Sequence, residues 1–328
     1  MNSTPVTTAV PAAAPRNRID IRVVLAFFAI YVLWGGTFLA IRIAVLQIPP
    51  LFTAGIRFFI AGVLLYGFMR LRGRPKPSHA EWRSLLIMGL LMFVVTYGAL
   101  FWAEQYVPSG ITSVLESTLP LITIALEVFV FRHQPLRWSM LLAVVVGFGG
   151  VALLLLENTR QTYGLLPCAA ILAGATSWSL GAVLTRSMPL PKSRPLTAGA
   201  AMMLGGGTLL ALSALTGELH PLPHIPWRAA WALLYLIICG SLLAFTAFVW
   251  LLARMPATRV ASHAYVNPLV AVALGYFVAG EVITPRTLVA SALVIASVFL
   301  ILKKDDAPPA VRVDQEPKMV KENDPLVM

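Results

Sequence analysis

Apolar residues run through the chain in ten blocks, each close to 20 residues long and separated by short polar connections. About 20 apolar residues in a helix cover the hydrocarbon core of a bilayer. The pattern therefore predicts ten membrane-spanning helices at approximately 23–45, 51–70, 84–104, 110–131, 137–156, 164–185, 196–216, 229–252, 258–280 and 286–302. The connections hold the helix-breaking residues, among them Pro49-Pro50, Pro75, Pro108, Pro135, Pro189, Pro256 and Pro285. Residues 1–18 are rich in Ala, Pro and Thr, and the first apolar block is too long for the core of a secretory signal. Residues 1–18 and the polar residues 305–328 are expected to be disordered tails.

Superimposed on this pattern is a repeat. Trp34 and Arg42 recur as Trp178 and Arg186 at a shift of 144, and Thr53-Ala54-Gly55 recurs as Thr197-Ala198-Gly199 at the same shift. Trp82-Arg83 recurs as Trp227-Arg228 at 145, and Pro108 and Pro120 recur as Pro256 and Pro268 at 148. Each copy, 19–157 and 158–304, holds five apolar blocks. An odd number of spans turns the second copy upside-down relative to the first, and inverted repeats are the mark of alternating-access transporters. The predicted fold is an all-α membrane protein, ten transmembrane helices arranged as a 5+5 inverted repeat.

Composition agrees: 58% of residues are hydrophobic and 12% charged, too few charges for an ordinary soluble domain. The net charge of +11 could suggest a nucleic-acid partner, but the basic residues are distributed by side. With the N-terminus inside, about 17 Lys and Arg flank the inner ends of the spans against about three at the outer ends. That bias places both termini in the cytoplasm. It also places Trp82-Arg83 on the inner side and Trp227-Arg228 on the outer, as inversion requires. The two cysteines, Cys168 and Cys239, lie in apolar blocks and read as buried thiols.

The chain resembles the EamA-like family of the drug/metabolite transporter superfamily over 23–302. The matching pieces are Trp34-Gly35-Gly36-Thr37-Phe38, Pro50 with Arg57, Pro108-Ser109-Gly110 with Pro120, Pro256-Ala257, Asn267-Pro268 and Gly280-Glu281. The resemblance implies a helical bundle of the inner membrane that moves small organic metabolites, often outward. It also implies a central cavity lined by the first, third and fourth helices of each copy. The first copy departs from the pattern: it has Arg132-His133 where the second has Gly280-Glu281. Glu281 is expected at a membrane surface, marking a structural boundary.

Charged side chains within spans are costly and mark function by default. Arg57 and Glu116 fall at similar depths and could pair; a bundle-stabilising pair is the plainer reading. Glu127 shares a helical face with Glu116, and the alternative is a carboxylate reaching to water at the helix end. Pro120 and Pro268 remove an N–H each, freeing the carbonyls of residues 116 and 264, and are candidate hinges. The ninth helix is polar for its depth, with Ser262, His263, Tyr265 and Asn267. Trp34, Thr37, Tyr97, Trp102, Trp178 and Trp250 complete the candidate substrate-binding set, although most aromatics in spans are packing residues. His220 and His224 are too few to hold a metal, and no P-loop, H-E-x-x-H or G-x-S-x-G is present.

The expected function is a secondary transporter, a permease or exporter of small metabolites such as amino acids or of drug-like amphiphiles, and not an enzyme. A membrane-embedded enzyme acting on lipid-linked groups, or a non-transporting scaffold, are the alternatives. The implied partners are a small-molecule substrate and the lipid bilayer, with a proton as candidate coupling ion and a homodimer as candidate assembly. No cofactor and no nucleic acid is implied.

Overall fold

The computed structural model describes residues 20–132, 138–158, 164–185, 187–220, 224–252, 254–255, 260 and 262–304. Both expected tails lie outside these, as do His133, Arg186, Pro256 and Ala257. All regular structure among the described residues is helical. The helices are α1 (Ile21–Val45), α2 (Pro50–Leu71), α3 (His79–Ala103), α4 (Ser109–Val130), α5 (Trp138–Asn158), α6 (Leu165–Leu184), α7 (Arg194–Leu215), α8 (Trp227–Leu251), α9 (His263–Ala279) and α10 (Pro285–Lys304). Seven of them, α1–α4 and α6–α8, are long and apolar enough to cross a membrane. The apolar stretches in α5, α9 and α10 are shorter: Met140–Leu153, Val266–Ala279 and Pro285–Leu300.

One helix start among the described residues differs clearly from the one the apolar pattern predicts. α3 begins at His79, five residues early, because Ser78 and Glu81 form a capping box. The Ser78 N–H donates to the Glu81 carboxylate at 2.6 Å, and the Glu81 N–H donates to the Ser78 hydroxyl. Ser262, in the turn before α9, is joined to α1 by a 2.6 Å hydrogen bond with the Tyr31 hydroxyl. The helices also carry widened, π-helical turns that periodicity does not signal. The two longest, Gly89–Val95 in α3 and Leu236–Leu243 in α8, stand at the spacing of the sequence repeat.

α2 packs along α7, α5 along α10, α4 against α9, α3 against α6 and α1 against α8. The α2–α7 seam is built on small residues. A Cβ at Gly206 would come within 2.8 Å of the Phe59 Cα, and one at Gly199 within 2.7 Å of the Tyr66 amide nitrogen. Small residues let backbones approach where lipid gives no hydrophobic drive for helices to associate. The main buried core of the bundle includes Ile41, Phe58, Phe101, Leu115, Ile171 and Leu236.

The seam yields a paired test. Gly206→Ala forces backbone apart and should cost about 1–3 kcal/mol by overpacking, seen as a lower Tm of the purified protein. Gly67→Ala, at a position with nothing within 4 Å, should leave Tm unchanged or raise it. Equal Tm values for the two variants would contradict the seam.

Candidate functional site

Pro50 opens α2, and Arg57 follows two turns later, pointed inward by the α2–α7 packing. It is 2% exposed. Its Nε donates to the Ser241 hydroxyl at 3.0 Å. Its Nη2 lies over Gly240, where a Cβ would come within 3.0 Å. The guanidinium carbon stands 4.6 Å from the Phe58 ring centre, 5.6 Å from Tyr97 and 5.9 Å from Phe101. Ring faces attract a cation by about 0.5–2 kcal/mol each when desolvated. Nη1 is buried with no hydrogen-bond partner, so one arm of the fork is unused.

Aromatic side chains extend from this charge toward α6. Phe58 and Tyr97 lie 4.4 Å apart, and Tyr97 meets Trp178 edge-on at 5.9 Å. The expected Arg57–Glu116 ion pair is not formed; Arg57 uses Ser241 and the rings, and the Glu116 Oε1 is buried without a partner. Glu116 ends the first part of α4, which is interrupted at Ser117–Thr118 and resumes at Leu119. Pro120 explains the break, since it cannot donate to the carbonyl of residue 116. The Thr123 hydroxyl donates to that of Ser179 at 3.0 Å, and Ser179 reaches the Leu119 carbonyl, tying the break to α6.

The other candidates divide into separate groups. Trp34 stacks on His263 at 5.2 Å with 19° between the planes, and Phe248 meets His263 edge-on at 5.6 Å. Trp34 and Trp178 thus belong to different aromatic clusters. Thr37 is buried, its hydroxyl donating to the Trp34 carbonyl at 2.6 Å and its methyl against Gly240. Three carbonyls, of Ile30, Tyr31 and His263, lie 2.9, 3.1 and 3.2 Å from the Asn267 amide, so its nitrogen faces them and donates. Asn267 therefore bonds α9 to α1. α9 continues through Pro268, unlike α4 at Pro120. Trp102 packs on Tyr106, and Trp250 lies under the Arg254 guanidinium at 4.0 Å, toward opposite ends of the bundle. The side chain of Tyr265 lies outside the described residues. Glu127, in the widened last turn Leu126–Val130, is 7% exposed, interior rather than reaching to water.

Glu281 stands just beyond the end of α9. Gly280 ends α9 with φ +66, and this left-handed turn carries the next side chain back over the bundle. The Glu281 carboxylate accepts from the Ser109 N–H and hydroxyl, both at 2.8 Å, and from the Gly110 N–H at 3.0 Å. It caps the N-terminus of α4, where orphan N–H groups and the helix dipole favour an anion. Arg42 approaches it at 4.0 Å through Nε, the one ion pair among the described residues. Arg42 Nη1 donates to the carbonyls of Glu104 and, at 2.9 Å, of Val107. These contacts clasp α1, the α3–α4 connection and the end of α9 together; the end of the bundle they occupy is the clasp end.

Three further residues of the site carry no sequence signal. Ser241 reads as an ordinary small residue of a span. Tyr235, whose hydroxyl donates to the Leu33 carbonyl at 2.8 Å, reads as a packing aromatic. Glu104 stands at the expected end of a span, where a carboxylate normally meets water, yet it is fully buried. Two apolar grooves of about 400 and 410 Å³ lie on the periphery, between α9 and α10 and between α1, α8 and α9; neither touches Arg57 or Glu116.

The profile of the EamA-like transporter family matches residues 21–156 and again 165–303. The chain belongs to this family. Among its EamA-like relatives, the inner membrane transporter YedA of Escherichia coli K12 is 36% identical over 84% of this chain and 89% of its own length. A protein of Salmonella typhimurium named as a probable amino-acid metabolite efflux pump is 27% identical over 83% of this chain and 91% of its own. A solved crystal structure shares the fold at a TM-score of 0.58 and 19% identity, covering 88% of this chain and 99% of that one. The apolar helices and these relatives make the chain a multi-pass protein of the inner membrane.

The Asn267 geometry makes a prediction. Asn267→Ala removes its bonds to α1 and should lower stability by roughly 1–2 kcal/mol, read as a reduced Tm. A Tm equal to the parent's would show that the amide is free for another task.

Proposed function

We propose that the protein is a secondary transporter that exports small organic metabolites, amino acids or drug-like amphiphiles, by alternating access. The observation that carries this reading is Arg57: a guanidinium buried in a membrane bundle, walled by Phe58, Tyr97 and Phe101, with Nη1 unpartnered. A packed structural arginine would satisfy its donors, because an unmet buried donor is costly. A donor left open suits a ligand's anionic or carbonyl group, and the rings suit its apolar body. The name of the Salmonella relative supports amino-acid metabolites as the class.

The architecture we propose is ten spans in a 5+5 inverted repeat with both termini in the cytoplasm. The pairing of α2 with α7, α5 with α10 and α4 with α9 supports it, as does the exchange of α3–α6 for α8–α1. The distribution of Lys and Arg makes the clasp end the outer face. Arg57, Tyr97, Glu116 and Trp178 form the substrate region, with Trp34 and His263 as a second aromatic station. The break at Pro120 is the hinge of α4, and Glu116 beside it carries the coupling proton.

Comparing metabolites in cells lacking and overproducing the protein tests class and direction: the exported compound accumulates outside on overproduction. In reconstituted vesicles driven by a pH gradient, Glu116→Gln should reduce transport of that compound at least ~10-fold and flatten its pH dependence. Retention of both would remove Glu116 from the proton path.

A further inference from the structure

The Glu104 carboxyl takes part in none of the contacts described so far. It follows the last residue of α3 and is fully buried, and neither carboxylate oxygen has a hydrogen-bond partner. An ionised carboxylate without donors in such a place would cost several kcal/mol, so this arrangement suits the neutral acid. The charged and titratable groups whose fields reach it are Arg42 on α1, Arg57 on α2, Glu116 on α4 and Glu281 after α9. Arg42 already donates to the backbone carbonyl of Glu104 while pairing with Glu281.

We propose that Glu104 is a proton-binding group that controls the clasp: protonated it leaves Arg42 to Glu281, and ionised it competes for Arg42 and repels Glu281. The step is a simple acid dissociation, in which the Glu104 O–H bond breaks and the proton passes to water entering from the clasp end. One guanidinium then faces two carboxylates. The connection from α3 to α4 separates from the end of α9, and that end of the bundle opens. The sign is fixed by the charge: the clasp stays shut while Glu104 holds its proton and opens as pH rises. The inverted position of Glu281 in the first repeat is His133, so the same carboxylate pair cannot form at the other end. The device gives the two ends different proton dependence. Its use in transport rests on the transporter reading, but the gating itself does not.

The test places spin labels on cysteines introduced at Leu46 and Val282, both exposed beside the clasp, with Cys168 and Cys239 replaced by alanine. The full chain is reconstituted in vesicles, and the label distance is followed against pH. In the parent the distance should grow by roughly 5 Å as pH rises; in Glu104→Gln it should stay at the closed value throughout. Glu104→Asp should keep a response. Infrared spectra of the parent should lose a protonated-carboxyl band over the same pH range. A parent without a pH response, or a Glu104→Gln protein that opens as the parent does, overturns the proposal. If Glu104→Gln does not fold, a parent whose opening and carboxyl band do not move together overturns it equally. A clasp that titrates in vesicles moving no metabolite would support this inference and overturn the transporter reading.

Discussion

One uncompensated charge organises the interior. Arg57 sits 2% exposed in a bundle surrounded by lipid, its Nε on Ser241, its face against three rings and its Nη1 unused. Such a charge is costly at membrane depth. The neighbouring features reduce that cost without removing it. Gly240 gives the guanidinium room, the widened turn of α8 presents Ser241 to it, and Tyr97 sets a ring 5.6 Å from it. The α2–α7 seam holds α2 close enough for this arrangement to persist.

The second electrostatic group, Arg42 with Glu281, lies at the clasp end and has a different character. Each member is well partnered by backbone groups, and together they bind three segments distant in sequence. Glu104, whose backbone carbonyl binds Arg42, feels the charges of both groups. A well-satisfied clasp and an under-satisfied centre fit a machine that rests closed at one end and retains unmet polar groups within.

Apolar blocks of the right length marked the helices, because lipid exposure imposes a requirement that composition records directly. Helix ends were less legible where short-range hydrogen bonds decide them, as at the Ser78–Glu81 box. Arg57, Tyr97 and Trp178 were visible as polar or aromatic positions inside spans, and the fold brings them into one cluster, which Glu116 does not contact. Trp34, Trp102 and Trp250 were equally visible but lie apart, since a one-dimensional pattern does not say which faces meet. Glu104 was invisible as a buried group because the same residue at a span's end is normally hydrated. The break in α4 followed from Pro120, whereas Pro268 leaves α9 continuous.

The central claim is that Arg57 is held for a ligand at the expense of stability. Arg57→Met measures it most directly, by comparing Tm of the purified protein with export by cells. Removing a buried charge with an unmet donor and filling the space with an apolar chain should leave Tm unchanged or raise it, while export is lost. A Tm several degrees lower, together with export retained in proportion to the folded protein, would contradict the claim.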